Sequence, residues 1–376
     1  MGTESTNIPG SLLIDENTLR DLEVFKSETG GTCLFDVCNL TRTEGGRQAL
    51  HRRMRLPWST AAQIRSTQSA ISFVLGQRQA FEKLPSAYVS NIVSQHYLRE
   101  ILPIITEENP IAFGVGVFGV WANRDSHHFI IVRGVQMTCL LLTTLRKFIA
   151  QPELLSASGE MASFVDEIRA LLDRPALCAV PDKPIGSWLW KILRFDQVFR
   201  LHEKASLDRL IEIISEIDAL TSMADVTSDC GFALPHIEEG ALCVHAENLV
   251  HPLLTDAVAN PLGLSQKQRT LFLTGPNMAG KTTYLRATAL ALLLAQMGMG
   301  VPASKFRFAP AQYLFTSISL SDDLSGGVSY FRAEALRVKA VALAVSQGYR
   351  VMALMDEPFK GTNVRDAIDA SSSIIV

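Results

Sequence analysis

The chain has 376 residues, of which 47% are hydrophobic and 19% charged, and its formal net charge is −3. This length allows two domains, and the apolar fraction excludes a disordered or fibrous chain. Because the net charge is close to neutral, any nucleic-acid-binding surface must be a local one. The six cysteines are scattered without a C-x-x-C pair, which indicates reduced, mostly buried thiols of a cytosolic protein.

The amino-terminal residues 1 to 10 are polar and are predicted to form a disordered tail without a secretory signal. Two apolar stretches follow further along, at residues 110 to 122 and 129 to 145. Both are shorter or more interrupted than the roughly 20 apolar residues that a membrane-spanning helix needs. We therefore expect two buried helices and no membrane association.

Residues 11 to 228 have a mainly helical pattern. Apolar residues recur at helical spacing over residues 60 to 82, 160 to 173 and 187 to 222. After Ser228 the pattern changes to short β-like pieces punctuated by glycine and proline. A boundary at 228 to 238 is therefore predicted, with a helical domain before it and an α/β domain over residues 238 to 376, in which strands and helices alternate.

A phosphate-binding motif of the form G-x-x-x-x-G-K-[ST] lies in the second domain. Its residues are Gly275, Pro276, Asn277, Met278, Ala279, Gly280, Lys281 and Thr282, and Thr283 follows. The apolar run 271 to 273 before it predicts a buried strand, and the Ala/Leu-rich run after it predicts a long helix. The alternative is a chance match on an ordinary strand–turn–helix unit.

This motif assigns roles to two side chains. Lys281 would reach the β- and γ-phosphates of a nucleoside triphosphate, and Thr282 would hold Mg²⁺. The loop amides and the positive end of the helix would hold the anion.

A second motif is an apolar strand, residues 351 to 355, that ends in two carboxylates. Asp356 is placed to orient the water shell of Mg²⁺, and Glu357 to polarise the water that attacks the γ-phosphate. The alternative is a solvated turn.

A third motif lies between these two, over residues 321 to 334. Ser329 is the natural N-cap of the helix that follows, and two glycines precede it. Such a helix start is also an anion site, so plain capping and a phosphate role are both open.

Together these segments resemble a known family. The runs GPNMAGKTTYLR, DDLSGGVSYFRAE and MDEPFKGTN, in that order, are similar to the ATPase domain of the MutS family of DNA mismatch-repair proteins. Residues 12 to 57 resemble the start of the core, or lever, domain of that family. The fold class implied is a helical lever domain followed by an ABC-like α/β P-loop ATPase domain.

The resemblance implies ATP and Mg²⁺ as cofactors, with Lys281 and Glu357 in catalysis and Thr282 with Asp356 at the metal. Ser329 would contact the nucleotide of the opposite subunit, so a homodimer or a dimer with a related subunit is implied. DNA, bound without sequence specificity, would be the other partner. The location implied is the cytoplasm of a bacterium or the nucleus of a eukaryote.

The resemblance is incomplete at both ends. No counterpart of the mismatch-reading and connector domains of the family precedes residue 12, so the resemblance does not extend to direct mismatch recognition, and whether mismatches are read stays open. The ATPase domain stops about twenty residues after Asp356, and we expect it to bind nucleotide better than it hydrolyses it. The alternative function is a nucleotide-binding regulatory or interaction module with little or no hydrolysis. A small-molecule P-loop kinase is disfavoured by Glu357 and the Ser329 loop.

The densest basic stretch runs from Arg42 to Arg55 and contains five arginines and one histidine. Such a stretch could bind DNA phosphates. We favour the alternative, in which these arginines pair with carboxylates or face water.

Overall fold

The computed structural model describes residues 9–27, 30–100, 105, 109–122, 126–186, 188–318 and 330–359. The chain packs as two compact units. Unit 1 comprises residues 1–40, 51–71 and 223–376, and unit 2 comprises residues 41–50 and 72–222. The domain boundary at 228 to 238 stays a prediction.

The helices of the described residues are α1 (Glu16–Asp21), α2 (Leu34–Cys38), α3 (Glu44–Arg55), α4 (Ala61–Gly76), α5 (Ala87–Asn91), α6 (Pro110–Ala122), α7 (Ser126–Ile149), α8 (Glu160–Leu172), α9 (Pro175–Cys178), α10 (Leu189–Gln197), α11 (Lys204–Asp229), α12 (Lys281–Gln296) and α13 (Tyr330–Ser346). The strands are β1 (Leu13–Ile14), β2 (His236–Ile237), β3 (Val244–Leu249), β4 (Asn260–Leu264), β5 (Lys305–Phe308), β6 (Tyr313–Ser317) and β7 (Val351–Met355). Short 3₁₀ segments occupy Arg78–Lys83 and Pro152–Ser156, and π-helical segments occupy Ile92–Glu100 and Val198–His202.

Unit 1 contains a three-stranded parallel sheet with the order β1-β6-β7. Leu13 pairs with Tyr313, and Tyr313 pairs in turn with Val351. The amino-terminal strand thus joins the sheet whose last strand carries the Asp-Glu pair. Helix α1 follows β1 directly, and Asp15 caps it by accepting the main-chain N–H of Thr18 at 2.8 Å.

Helix α12 forms the apolar centre of unit 1. Residues 287 to 296 are all buried, as an Ala/Leu-rich helix that is apolar on every side requires. The helix ends before Gly298, whose φ is +78°. A Cβ at this position would lie 3.0 Å from the carbonyl oxygen of Ile64, so glycine permits the close approach of the main chain to α4.

A second sheet of unit 1 is mixed, with the order β2-β5-β3-β4. Strand β3 pairs antiparallel with both β4 and β5, and its register with β4 shifts between Ala246 and Leu249. The punctuated sequence after Ser228 therefore forms strands, as its pattern predicts.

Unit 2 is helical, and its largely apolar core contains a buried polar triad. The Asp196 carboxylate accepts hydrogen bonds from the Tyr97 hydroxyl at 2.8 Å and from two guanidinium nitrogens of Arg200 at 2.8 and 2.6 Å. Burial raises the pKa of Asp196, although the bonds from Arg200 and Tyr97 act in the opposite direction. Burial also raises the pKa of Tyr97.

Two helix predictions need correction in their bounds. The run 187 to 222 is not one helix, because α10, a π-helical segment and α11 follow one another. The chain leaves helical geometry at Glu203, where φ is −115°. The run 60 to 82 forms α4 only as far as Gly76, and a 3₁₀ segment follows.

The prediction that both apolar stretches are buried is wrong for α6. Four large side chains of this helix are exposed by 57% to 79% of their surface, namely Ile111, Val115, Phe118 and Trp121. Its apolar residues lie on every side of the helix, and packing covers the side that carries Phe113 and Val120.

Helix α7 has the length and hydropathy of a membrane-crossing helix over His128–Ile149, the one such helix in the described part of the chain. Its most apolar window is 56% buried inside the protein. A core helix of a soluble protein meets the same test, so this helix gives weak support for a membrane span.

Candidate functional site

The phosphate-loop motif forms an exposed turn that leads directly into α12. Gly280 precedes the helix with φ +88°, and Met278 has φ +67°. The Ala279 N–H donates to the Pro276 carbonyl at 3.3 Å and closes the turn. Because no side chain caps α12, the first N–H groups of the helix are left for another acceptor. This is the arrangement that an anion at a helix N-terminus needs.

Lys281 folds back over this turn. Its ammonium group donates to the carbonyl oxygens of Gly275 at 2.9 Å and Pro276 at 3.0 Å. An ammonium group has three donors, so one remains for a bound anion. The positive charge is thereby held beside the exposed N-terminus of α12.

Thr282 and Asp356 are brought together at the start of α12 and the end of β7. The Thr282 hydroxyl donates a hydrogen bond to the Asp356 carboxylate. The Asp356 N–H donates in turn to the Ser317 carbonyl at 2.9 Å, which fixes the residue at the end of the sheet. A hydroxyl and a carboxylate are hard oxygen donors of the kind that Mg²⁺ prefers, so the pair fits a magnesium site.

Glu357 follows Asp356 on an exposed turn. Its φ is +44°, and that of Phe359 is +64°, both in the left-handed region that non-glycine residues rarely adopt. Such conformations persist where surrounding contacts hold them, and they concentrate at functional sites.

Of the remaining predicted site residues, two lie in the described part of the chain and one lies outside it. Asn277 lies on the exposed turn, and Thr283 lies in the first helical turn of α12. Ser329 lies outside the described residues, so its predicted role is not addressed by the geometry.

The prediction of a buried strand before the phosphate loop is wrong. Leu271, Phe272 and Leu273 are 40%, 70% and 36% exposed and belong to no strand. Leu271 and Leu273 line an open groove of about 560 Å³, which residues of β7 also line. An apolar run before the phosphate loop forms a buried strand only where a neighbouring strand pairs with it. None of the described strands pairs with residues 271 to 273.

Sequence reasoning did not identify a polar network that supports β6, the neighbour of β7. Arg337 on α13 is buried and donates to the Thr316 carbonyl at 2.8 Å and to the Thr18 hydroxyl at 2.6 Å. Arg337 also forms an ion pair with Asp15. Burial lowers the pKa of Arg337 to about 10. No local pattern signals a contact between residues 322 positions apart.

A second unanticipated contact reaches α12 itself. Arg286 forms an ion pair with Glu23 at 3.1 Å, and both side chains are largely buried. His251 lies near this pair, and its pKa is lowered by burial and by the charge of Arg286.

The basic stretch of residues 42 to 55 shows ion pairs within each unit. Arg47 pairs with Glu44, and Arg55 pairs with Glu16. The ring centroids of His51 and Phe25 are 4.1 Å apart. These contacts agree with the interpretation that at least part of the stretch serves the scaffold.

Residues 271–376 match the family model described as MutS domain V. This segment contains the phosphate loop, the Thr282–Asp356 contact and Glu357, and the matched domain is the ABC-like ATPase domain of its family. The match agrees with the motif resemblance seen in the sequence, and it supports membership of the MutS family for this part of the chain.

Proposed function

We propose that this chain binds ATP together with Mg²⁺ at residues Gly275–Thr283 and hydrolyses it, and that nucleotide drives conformational change in a dimer acting on DNA. The hydrogen bond between Thr282 and Asp356 carries this proposal, because it joins the two motifs that a P-loop ATPase must bring together. These residues are 74 positions apart, so chance motifs would have no reason to meet.

Each side chain has a distinct task in this proposal. Lys281 and the N–H groups at the start of α12 hold the phosphates, and Thr282 with Asp356 would hold Mg²⁺ directly or through water. The metal, when bound, neutralises charge on the phosphate oxygens. Glu357 orients the attacking water and accepts its proton.

The DNA-directed role rests on membership of the MutS family. Nucleotide bound between subunits would close the dimer, with Ser329 of one subunit contacting the nucleotide held by the other. Release or hydrolysis would reopen it. Sedimentation with a non-hydrolysable ATP analogue tests this step, because ATP-dependent dimerisation should weaken in Ser329→Ala while binding to the monomer persists.

A second candidate is a nucleotide-binding regulatory module with little hydrolysis. One observation favours it: the segment that leads into the phosphate loop is exposed and unpaired with any described strand. A loop carried on such a segment can bind an anion, whereas hydrolysis needs its groups held within a fraction of an ångström.

Calorimetry of the full chain with ATP and Mg²⁺ tests the binding step. Lys281→Ala should abolish binding, since the loop has no other cation, whereas Lys267→Ala, an exposed lysine outside the loop, should leave the Kd unchanged. Equal ATP affinity in the two variants would contradict the assignment of the nucleotide site to the phosphate loop.

Phosphate release separates the two candidate functions. Hydrolysis that disappears in Glu357→Gln with ATP binding retained supports the ATPase. Tight binding without turnover in the unmodified chain supports the regulatory module.

A further inference from the structure

Helix α13 carries a buried carboxylate that faces the turn after β7. Glu334 is 3% exposed, although carboxylates are rarely buried to this extent without a partner. It accepts the main-chain N–H of Phe359. Its second oxygen, Oε2, has no hydrogen-bond partner among the residues that the structure describes. Burial raises the pKa of this carboxyl group, because removal from water disfavours its charged form.

The turn that Glu334 contacts is conformationally unusual. Glu357 and Phe359 both have positive φ, and Pro358 between them has a ring that fixes its own φ. A residue before proline prefers extended conformations, so the positive φ of Glu357 must be held by contacts around the turn. Fixing the Phe359 N–H therefore limits the direction in which the Glu357 side chain leaves the turn.

We propose that Glu334 is a positioning residue, which anchors the Phe359 N–H and thereby holds the turn that directs Glu357 toward the phosphate loop. This inference deepens the proposed function and rests on it for the role of Glu357. The anchor acts from α13, outside both the phosphate loop and the Asp-Glu pair. Loss of the hydrogen bond between Glu334 and the Phe359 N–H should leave nucleotide binding intact. It should, however, displace the Glu357 carboxylate from the position in which it orients the attacking water.

Two substitutions separate positioning from a general structural role. Glu334→Leu fills a similar volume but removes the acceptor, and Glu334→Gln keeps a carbonyl acceptor for the Phe359 N–H. Lys339→Leu, at an exposed position of the same helix, is the control. In the full chain, E334L should lower kcat for ATP hydrolysis about tenfold with the ATP Kd within about twofold, and E334Q should recover most of the loss. Wild-type kcat in E334L, or equal losses in E334Q and E334L, would overturn the proposal.

Hydrogen exchange tests the anchor without requiring turnover. The Phe359 amide should be protected in the unmodified protein, and its exchange should rise about tenfold in E334L but little in E334Q or K339L. An unprotected Phe359 amide in the unmodified protein would overturn the proposal even if E334L failed to fold. Absent ATP binding in the unmodified protein would instead contradict the proposed function.

Discussion

The Thr282 hydroxyl, in the first turn of α12, donates a hydrogen bond to the Asp356 carboxylate at the end of β7. One residue comes from the helix that follows the phosphate loop and the other from a strand in the parallel sheet. Their contact brings a helix N-terminus, a lysine ammonium group and a carboxylate pair into one region of unit 1. It follows that substitution of either partner should affect metal-dependent binding more than folding.

Thr282→Val should reduce the dependence of ATP affinity on the Mg²⁺ concentration. The variant retains Lys281 and the loop N–H groups, so ATP without metal should bind as it does to the unmodified chain. With Mg²⁺, the affinity should fall about tenfold because one hard oxygen ligand is lost. Titrations with fluorescent ATP at several Mg²⁺ concentrations measure this difference. Thr270→Val, at an exposed site before the loop, is the control, and an identical magnesium response in both variants would contradict the assignment.

The local elements of this site could be predicted from the sequence. The glycine spacing and the Ala/Leu run predict the turn and α12, and the apolar run before Asp356 predicts β7. Local sequence determines these features because turn conformation and helix periodicity depend on neighbouring residues.

The sequence could not predict what depends on distant packing. The run 271 to 273 is exposed because burial of a strand is decided by its neighbours rather than by its own hydrophobicity. Arg337 could equally have been a surface residue of α13, and its buried position depends on Asp15 and Thr18 near the amino terminus. Helix α6 shows the same limit, since an apolar helix does not specify which of its sides is covered.

Arg337→Met should destabilise unit 1 by about 3 kcal/mol, since it removes the buried side-chain donor to the Thr316 carbonyl and the cation paired with Asp15. The Thr18 hydroxyl loses one of its two donors and keeps the Thr316 N–H. Urea denaturation followed by circular dichroism measures the change in the free energy of unfolding. Lys339→Met on the same helix is exposed and should change it by less than about 0.5 kcal/mol. Equal stabilities of the two variants would show that the Arg337 network contributes little.

Acid should destabilise the protein partly through His251. Its folded-state pKa lies below the ordinary value of 6.5 because of burial and the nearby charge of Arg286. As the pH falls through 6.5, the unfolded chain takes up a proton that the folded chain resists, so the free energy of unfolding decreases. This loss develops between 6.5 and the lower folded-state pKa, and is absent at higher pH.

His251→Asn should reduce this pH dependence by up to about 1.4 kcal/mol per pH unit across that window. An asparagine oxygen can replace Nδ1 as the acceptor for the Leu253 N–H, which lies 3.3 Å away in the unmodified chain. Denaturation at pH values from 5 to 8 measures the slope, with His236→Asn at an exposed strand position as the control. A slope unchanged by H251N would exclude His251 as its source.

The buried triad of unit 2 should respond differently to single and paired substitution. Asp196→Ala leaves the Arg200 guanidinium buried without its carboxylate and should cost about 3–5 kcal/mol of stability. Replacing both by apolar residues, as in Asp196→Leu with Arg200→Met, removes both charges, so the double variant should recover most of that loss. The exposed pair Asp166 and Arg169, at 2.8 Å, is the control, and Asp166→Ala should cost less than about 1 kcal/mol. A double variant as unstable as D196A would show that the ion pair itself, rather than the avoidance of an unpaired charge, stabilises unit 2.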